Sequence, residues 1–390
     1  MTQNPPVSER RAPLAGVVVV SLEQAVAAPF ATRQLADLGA TVIKIERPGG
    51  DFARGYDHDM QGLSTHFVWT NRGKQSVVLD LKAEDDRATF DALIAGSDVF
   101  LHNVSPAAAR RLGIDPEALR DRHPALISVE ISGYGAGGPR SDDKAYDLAI
   151  QAEAGAFSVT GADEPSRVGF AAADIAAGMY ALSSILAALV QRGQTGEGAS
   201  IEISMLDCLT EWLSAQLYAA HYSGVHPPRT GRRHPGIAPY GTFELSSGRT
   251  ILLAVQNDRE WAALVEAVLD DPALAADERF RTNPDRIAHV DEVEALVAER
   301  LGQLTDEQAL SRLSLAGIAT SGVNDLDAVW RHPQLRERRR FIEVDSPAGP
   351  LEMLAPPFGM GSWPLGAVPD LDEHDADVIA AIIARGAARP

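Results

Sequence analysis

Cysteine is almost missing from this chain: Cys208 is the only one in 390 residues. No intramolecular disulfide can form, and a metal cluster built on cysteines is excluded. The setting of Cys208, "SMLDCLTEW", is apolar and helical, which suits a buried structural thiol. The usual local catalytic signatures are missing too. There is no Gly-x-Gly-x-x-Gly after the first strand, so a nicotinamide or flavin Rossmann site is not expected there. There is no P-loop, no His-Glu-x-x-His, no Gly-x-Ser-x-Gly and no cluster of ligating residues with metal spacing. Positive charge is scarce: 35 Lys and Arg face 54 Asp and Glu, a net charge of −19. That balance argues against nucleic acid or an anionic membrane as partner, and an anionic ligand would need a local basic patch. The N-terminal "MTQNPPVSERRAP" holds no apolar core like that of a secretion signal, so a cytoplasmic protein is the expectation.

What is present is the composition of a globular protein with ample core, 45% hydrophobic and 23% charged. "GVVVVSL" (16–22) is a continuous β-branched run, the pattern of a fully buried parallel strand. Further strands are predicted at 40–46, 76–81, 97–101 and 126–132, with helices at 29–38, 84–95 and 105–121 between them. Such alternation predicts βαβ units and an open parallel sheet, an α/β fold. A long helix over about 174–192 and a strand in "TGEGASIEISM" follow. The segment 223–241 is rich in Gly, Pro and Arg and reads as a boundary. The predicted division is 1–224 for a large α/β domain, 225–315 for a small one beginning with a hairpin, and 316–390 for a segment rejoining the first.

Basic residues recur after strand ends: Lys44, Arg47, Lys82, Arg110, Arg111 and Lys144. Open α/β sheets bind ligands there, so these side chains could hold a nucleotide diphosphate, although each alone reads as a solvated charge. The longest apolar stretch, "VGFAAADIAAGMYALSSILAALV" (168–190), holds one charge, Asp174, where a helix is about to begin. Asp is a favoured N-cap residue. A helix N-terminus also favours the ionised carboxylate that a nucleophile needs. Cap and nucleophile are therefore compatible roles, and the local sequence leaves both open.

Several stretches, in order, carry a resemblance over some 370 residues. They are "PLAGVVVVSLEQAVAAPFATRQLADLGATVIKIERPGGDFAR", "NRGKQSVVLDLK", "SDVFLHN", "SGYGAGGP", "QTGEGASIEISMLD", "NDREW", "HPQLRERRRFIEV" and "DEHDADVI". Together they resemble the class III CoA-transferases, the CaiB/BaiF family containing formyl-CoA and carnitine CoA-transferases. The resemblance implies a Rossmann-like large domain formed by both chain ends, a smaller inserted α+β domain, and an interlocked homodimer. It implies coenzyme A as part of an acyl-CoA substrate, with no permanently bound cofactor and no metal. It makes Asp174 the residue that carries covalent acyl-anhydride and CoA-thioester intermediates, with Tyr146 beside the reacting centre. CoA contacts would be Val26, Ala27, Arg47, Lys82, Asn103, Arg111, Lys144 and Met205. An Asp side chain, ordinarily ionised above about pH 4, would need no general base.

Departures narrow the reaction. Formyl-CoA transferase has glutamine where this chain has Val26, and its glycine-run lid corresponds here to "RRHPGIAPYGTF" (232–243), which keeps only Gly236 and Gly241. Formyl exchange is thereby disfavoured. The related α-methylacyl-CoA racemases resemble Gly-His-Asp at the place of "AYD" (145–147), and Tyr146 is a poor base near neutrality. Arg229, Arg232, Arg233 and His234 could recognise the far carboxylate of a dicarboxylic acceptor or simply form a charged linker. The expected activity is transfer from succinyl-CoA to a short dicarboxylate such as itaconate, mesaconate or citramalate. A racemase-type isomerase and a CoA-binding protein without turnover are the alternatives.

Overall fold

The computed structural model describes residues 11–358 and 363–389. The N-terminal stretch, up to residue 10, lies outside the described residues. The chain forms two compact units. The first is built around a six-stranded parallel sheet of order β3-β2-β1-β4-β5-β6. Its strands are β1 (Val18–Leu22), β2 (Thr41–Glu46), β3 (Lys74–Val78), β4 (Val99–His102), β5 (Ile127–Ser132) and β6 (Ala199–Ser204). The order reverses between β1 and β4, and in such sheets ligands bind beyond the strand ends at that point.

Alternate strand residues face two separate cores, which is why β1 reads as continuously apolar. Val19, Val42, Val99 and Ile127 point to one side. There α1 (Ala27–Asp37) covers them together with the long helix Ala172–Thr195. Val20, Ile43, Ile45 and Phe100 point to the other, under α3 (Glu84–Gly96) and the C-terminal helix Ala376–Ala387. A short α2 (Thr65–Asn71) precedes β3. The helix predicted over 105–121 is two, α4 (Pro106–Leu112) and α5 (Pro116–Arg122). Gly113 ends the first with φ +60°, and Asp115 starts the second by accepting the Ala118 N–H at 3.1 Å. After β5 come α6 (Asp147–Glu153), the single turn α7 (Ala156–Val159), α8 (Ala172–Thr195) and, after β6, α9 (Met205–Trp212).

By length and composition α8 is apolar enough to cross a membrane. Its small residues serve a different purpose. Ala172, Ala173, Ala176, Ala177 and Gly178 let it lie close against α1 within the core. A Cβ on Gly178 would stand 2.8 Å from the Ala27 carbonyl oxygen and 2.9 Å from the Phe30 ring.

The second unit comprises Phe157–Arg167 and Gln216–Arg336. It holds an antiparallel sheet of β7 (Tyr240–Glu244), β8 (Thr250–Ala254) and β9 (Ala319–Gly322). Helices enclose a core around Trp261, Phe280 and Leu253. These limits correct the division drawn at 224/225 and 315/316. The strand near 319 pairs with β8, Leu253 opposite Thr320, so it completes the small sheet instead of rejoining the large one. The Gly/Pro/Arg segment is a loop inside the unit. A hairpin of β10 (Phe341–Val344) and β11 (Leu351–Leu354) belongs to the first unit.

Candidate active site

The turn from β1 to α1 is tightly held. Asn103, just past the end of β4, grips the Gln24 backbone twice, accepting its N–H at 3.0 Å and donating to its carbonyl at 2.8 Å. Ala25 has φ +62°, costly for a residue with a Cβ. Its N–H is bonded to Asp51 Oδ1 at 3.3 Å. Asp51 in turn pairs with Lys44 at 2.9 Å, and Lys74 with Glu23 at 2.6 Å, all four side chains in the interior. Lys44, one of the strand-end cations, is therefore a buried structural partner and cannot meet a ligand. Burial, with the like charge of Lys44, brings Lys74 down to about 7 against the pull of Glu23.

Beyond the ends of β1, β2 and β3 lies a cleft of about 310 Å³, lined by Gln24, Arg47, Gly50, Lys82 and Leu112 among others. Arg47 and Lys82 thus meet in one cavity beside the turn. Arg111 is exposed on α4 next to Leu112, and Lys144 is exposed in the loop before α6. Val26 and Ala27 form the buried start of α1. Asn103 is occupied in shaping the turn. Met205 opens α9 with its side chain buried in the core, so that side chain packs and is not offered to a ligand. Cys208 is likewise buried, and burial with the charge of Asp207 raises its thiol to about 11.

Asp174 is the third residue of α8 and is not its cap. No side-chain cap comes from the residue before the helix. The capping carboxylate arrives from elsewhere in the chain: Asp147 Oδ1 accepts the N–H groups of Ala173 at 2.8 Å and Asp174 at 3.3 Å. Gln151, one turn along α6, donates to Asp147 Oδ2 at 2.7 Å. It also fixes the approach to α8, accepting from Val168 N–H and donating to the Phe170 carbonyl. Burial first, and the Asp147 charge second, raise the Asp174 carboxyl from 3.8 to about 7, against a pull downward from the Ala27 N–H. The expectation of a fully ionised Asp174 is corrected: near neutrality it stands at its midpoint, because desolvation outweighs the helix start.

Tyr146 precedes α6 and is 69% exposed. Tyr56, which sequence reasoning missed, belongs to the same group. Its hydroxyl is raised by burial, then by Asp51, Asp174 and Tyr146. It follows a one-turn helix, Phe52–Gly55, and its ring meets Phe52 and His66. Nothing in its local sequence marks it, because its position comes from the Asp51 turn. The site thus joins a half-buried carboxylate, a backbone N–H, two phenols and a cationic cleft three residues away along the turn.

In the second unit, Arg233 is committed to Asp291 at 2.9 Å and Glu294 at 3.4 Å. Arg229 donates to the carbonyls of Ala162 and Asp163. His234 stacks on Tyr240 with ring centroids 5.2 Å apart. Arg232 is exposed. The expectation that Arg233 awaits a carboxylate is corrected, since its charge is already matched within the unit.

A family model described as CoA-transferase family III matches residues 14–375. A succinate–glutarate CoA-transferase of Agrobacterium fabrum is 34% identical over 385 residues, covering 95% of this chain and 96% of the relative. A succinyl-CoA:mesaconate CoA-transferase of Haloarcula marismortui is 31% identical over 379 residues, covering 93% and 94%. The crystal structure of a CAIB/BAIF family protein from Brucella suis superposes with a TM-score of 0.82 at 34% identity, covering 96% of this chain and all of that one. With its fold, its strand-end cleft and its matched length, the chain belongs to CoA-transferase family III.

Proposed function

We propose that the enzyme moves CoA from succinyl-CoA to a short dicarboxylate through covalent intermediates on Asp174. The observation that carries this is the placement of the Asp174 carboxyl against the Ala27 N–H, at the end of the turn that borders the Arg47/Lys82 cleft. The nucleotide lies in the cleft and the thioester reaches Asp174. An ionised Asp174 oxygen attacks the thioester carbonyl; the C–S bond breaks, CoA thiolate leaves and a mixed anhydride forms. The thiolate then attacks the Asp174 carbonyl carbon, releasing the donor acid and leaving an aspartyl-CoA thioester. The acceptor carboxylate attacks that thioester and expels the thiolate. The thiolate finally takes the acceptor's acyl group, and the Asp174 carboxylate returns. The Ala27 N–H is placed to steady charge on the Asp174 oxygen when its carbonyl is attacked, and Tyr56 and Tyr146 flank it.

The dicarboxylate reading draws on the relatives, whose names include glutarate and mesaconate. The experiment is incubation with succinyl-CoA and a panel of glutarate, mesaconate, itaconate, citramalate, oxalate and acetate, following new thioesters by mass. Hydroxylamine during turnover should convert Asp174 to its hydroxamate. Exchange of the α-proton of a 2-methylacyl-CoA without CoA transfer would overturn the reading in favour of an isomerase. Full activity in Asp174→Ala would overturn the covalent route. We also propose a homodimer: the helix Ser214–Ser223 has no buried residue while Leu217, Tyr218 and Tyr222 are exposed. A light-scattering mass equal to one chain would refute it.

A further inference from the structure

The large sheet has a second charged cavity at its other end. It measures about 450 Å³ and is lined by Arg122, His123, Arg192 and Arg389, with Asp98 and the apolar Leu126. Asp98 and Leu126 stand just before β4 and β5, so this is the N-terminal edge of the strands. Arg192 lies near the C-terminal end of α8, eighteen residues from Asp174, which at 1.5 Å per residue is roughly 27 Å along the helix. The cavity is thus remote from the CoA cleft.

Among the described residues its charges do not balance. Asp98 receives Arg385 through two bonds at 2.6 and 2.9 Å, Arg389 at 3.1 Å and Arg192 at 3.2 Å. One carboxylate therefore answers three guanidiniums. Arg122 adds a fourth; its Nε donates to the Ala118 carbonyl and one terminal nitrogen to the Gly113 carbonyl, neither of which neutralises it. Asp91, the other carboxylate facing His123, is already paired with Arg87 at 2.9 Å. In a chain of net charge −19, this concentration of cations is local and unusual. Fastening the C-terminal helix would need only the two-bond Arg385–Asp98 pair. The effect on neighbours is consistent: besides burial, Arg122 and Arg389 hold His123 down, and Arg385 holds Arg389 down.

We propose that this cavity binds a phosphate monoester dianion, with the guanidiniums of Arg122, Arg192 and Arg389 around the phosphate and the organic part against Ala95, Pro124 and Leu126. Guanidinium forks suit the several oxygens of a phosphate, and the volume exceeds what inorganic phosphate fills. The test is calorimetric titration of the whole enzyme with inorganic phosphate at constant ionic strength, alongside Arg122→Gln and Lys82→Gln. Arg122 is exposed at a helix end, so its replacement leaves the fold intact. Saturable binding weakened at least tenfold by Arg122→Gln and unchanged by Lys82→Gln supports the site. The reverse pattern places the anion in the CoA cleft and overturns the proposal, as does absence of saturable binding. NMR gives an independent reading: phosphate should raise the His123 titration midpoint, and a midpoint that does not move overturns it.

Discussion

Replacing Asp174 by asparagine should abolish CoA transfer and stabilise the protein, and the second effect carries the sharper test. The fold moves this carboxyl from 3.8 to about 7, burial being the largest cause and the Asp147 charge the next. The folded state therefore prefers the protonated form. Below about pH 4 both folded and unfolded chains hold the proton, and the ionisation costs no stability. As the pH rises from about 4 to 7 the unfolded chain loses the proton first, so stability falls. Above about 7 the full penalty is present. The span from 3.8 to about 7 corresponds to at most ~4 kcal/mol. Solvent reaches the half-buried carboxyl, so about 1–2 kcal/mol is the expected gain for Asp174→Asn at pH 8.

The assay is urea unfolding of both proteins at pH 5 and pH 8 without ligand. At pH 5 the gain should be smaller than at pH 8, because the folded carboxyl still holds part of its proton there. Equal gains at the two values, or a loss of stability at pH 8, would refute the account of Asp174 as a carboxylate held against its preference. Activity supplies the complement. The nucleophile must be ionised, so kcat/KM for succinyl-CoA should rise with pH through about 7 and level off above it.

Asp147→Asn keeps an oxygen for the Ala173 and Asp174 N–H groups while removing the charge, so the rising limb of the pH profile should move to lower pH; a limb that stays in place would exonerate Asp147. Asp147→Ala also loses the cap and should cost about 1 kcal/mol in denaturant titrations. Gly178→Ala forces a Cβ to 2.8 Å from the Ala27 carbonyl, so α1 must shift from α8 one turn from Asp174; a drop in kcat of tenfold or more with about 1–3 kcal/mol lost stability is expected, measured by steady-state kinetics and thermal melts. Lys74→Met leaves Glu23 with Lys44 at 3.6 Å as its remaining cation, and should cost about 3–5 kcal/mol in urea. Adding Glu23→Leu to that variant should restore much of the loss, since the stranded charge is what costs.

The parts legible in the sequence are those governed by short-range pattern. A β-branched run such as 18–22 has one economical use, a strand buried on both faces, and the alternation of such runs with helices fixes a parallel sheet. Arg47 and Lys82 could be placed because strand ends converge in that fold. Lys44 could not be separated from them. It lies on β2, and only the partners brought in by the Asp51 turn make it a buried ion. The small unit's limits were obscured because a Gly/Pro/Arg-rich loop mimics a boundary, whereas the strand near 319 declares itself only by pairing with β8.

The same distinction accounts for the aspartate at the start of α8. Ser, Asp and Asn cap helices so often that a lone Asp there reads as a cap. In the folded chain the capping belongs to Asp147, which is twenty-seven residues earlier and is carried to the helix by α6. Had Asp174 capped its own helix, those N–H bonds would have held its carboxylate in place and lowered its pKa, making it a weaker nucleophile. Assigning the cap to a second aspartate leaves the first with a single opposing N–H, partial burial and a like charge beside it. Burial and the like charge raise the energy of the carboxylate form, and hence its readiness to attack, by more than the single N–H lowers it. A sequence shows that two aspartates exist; only the meeting of α6 with α8 decides which one is held and which one is left to react.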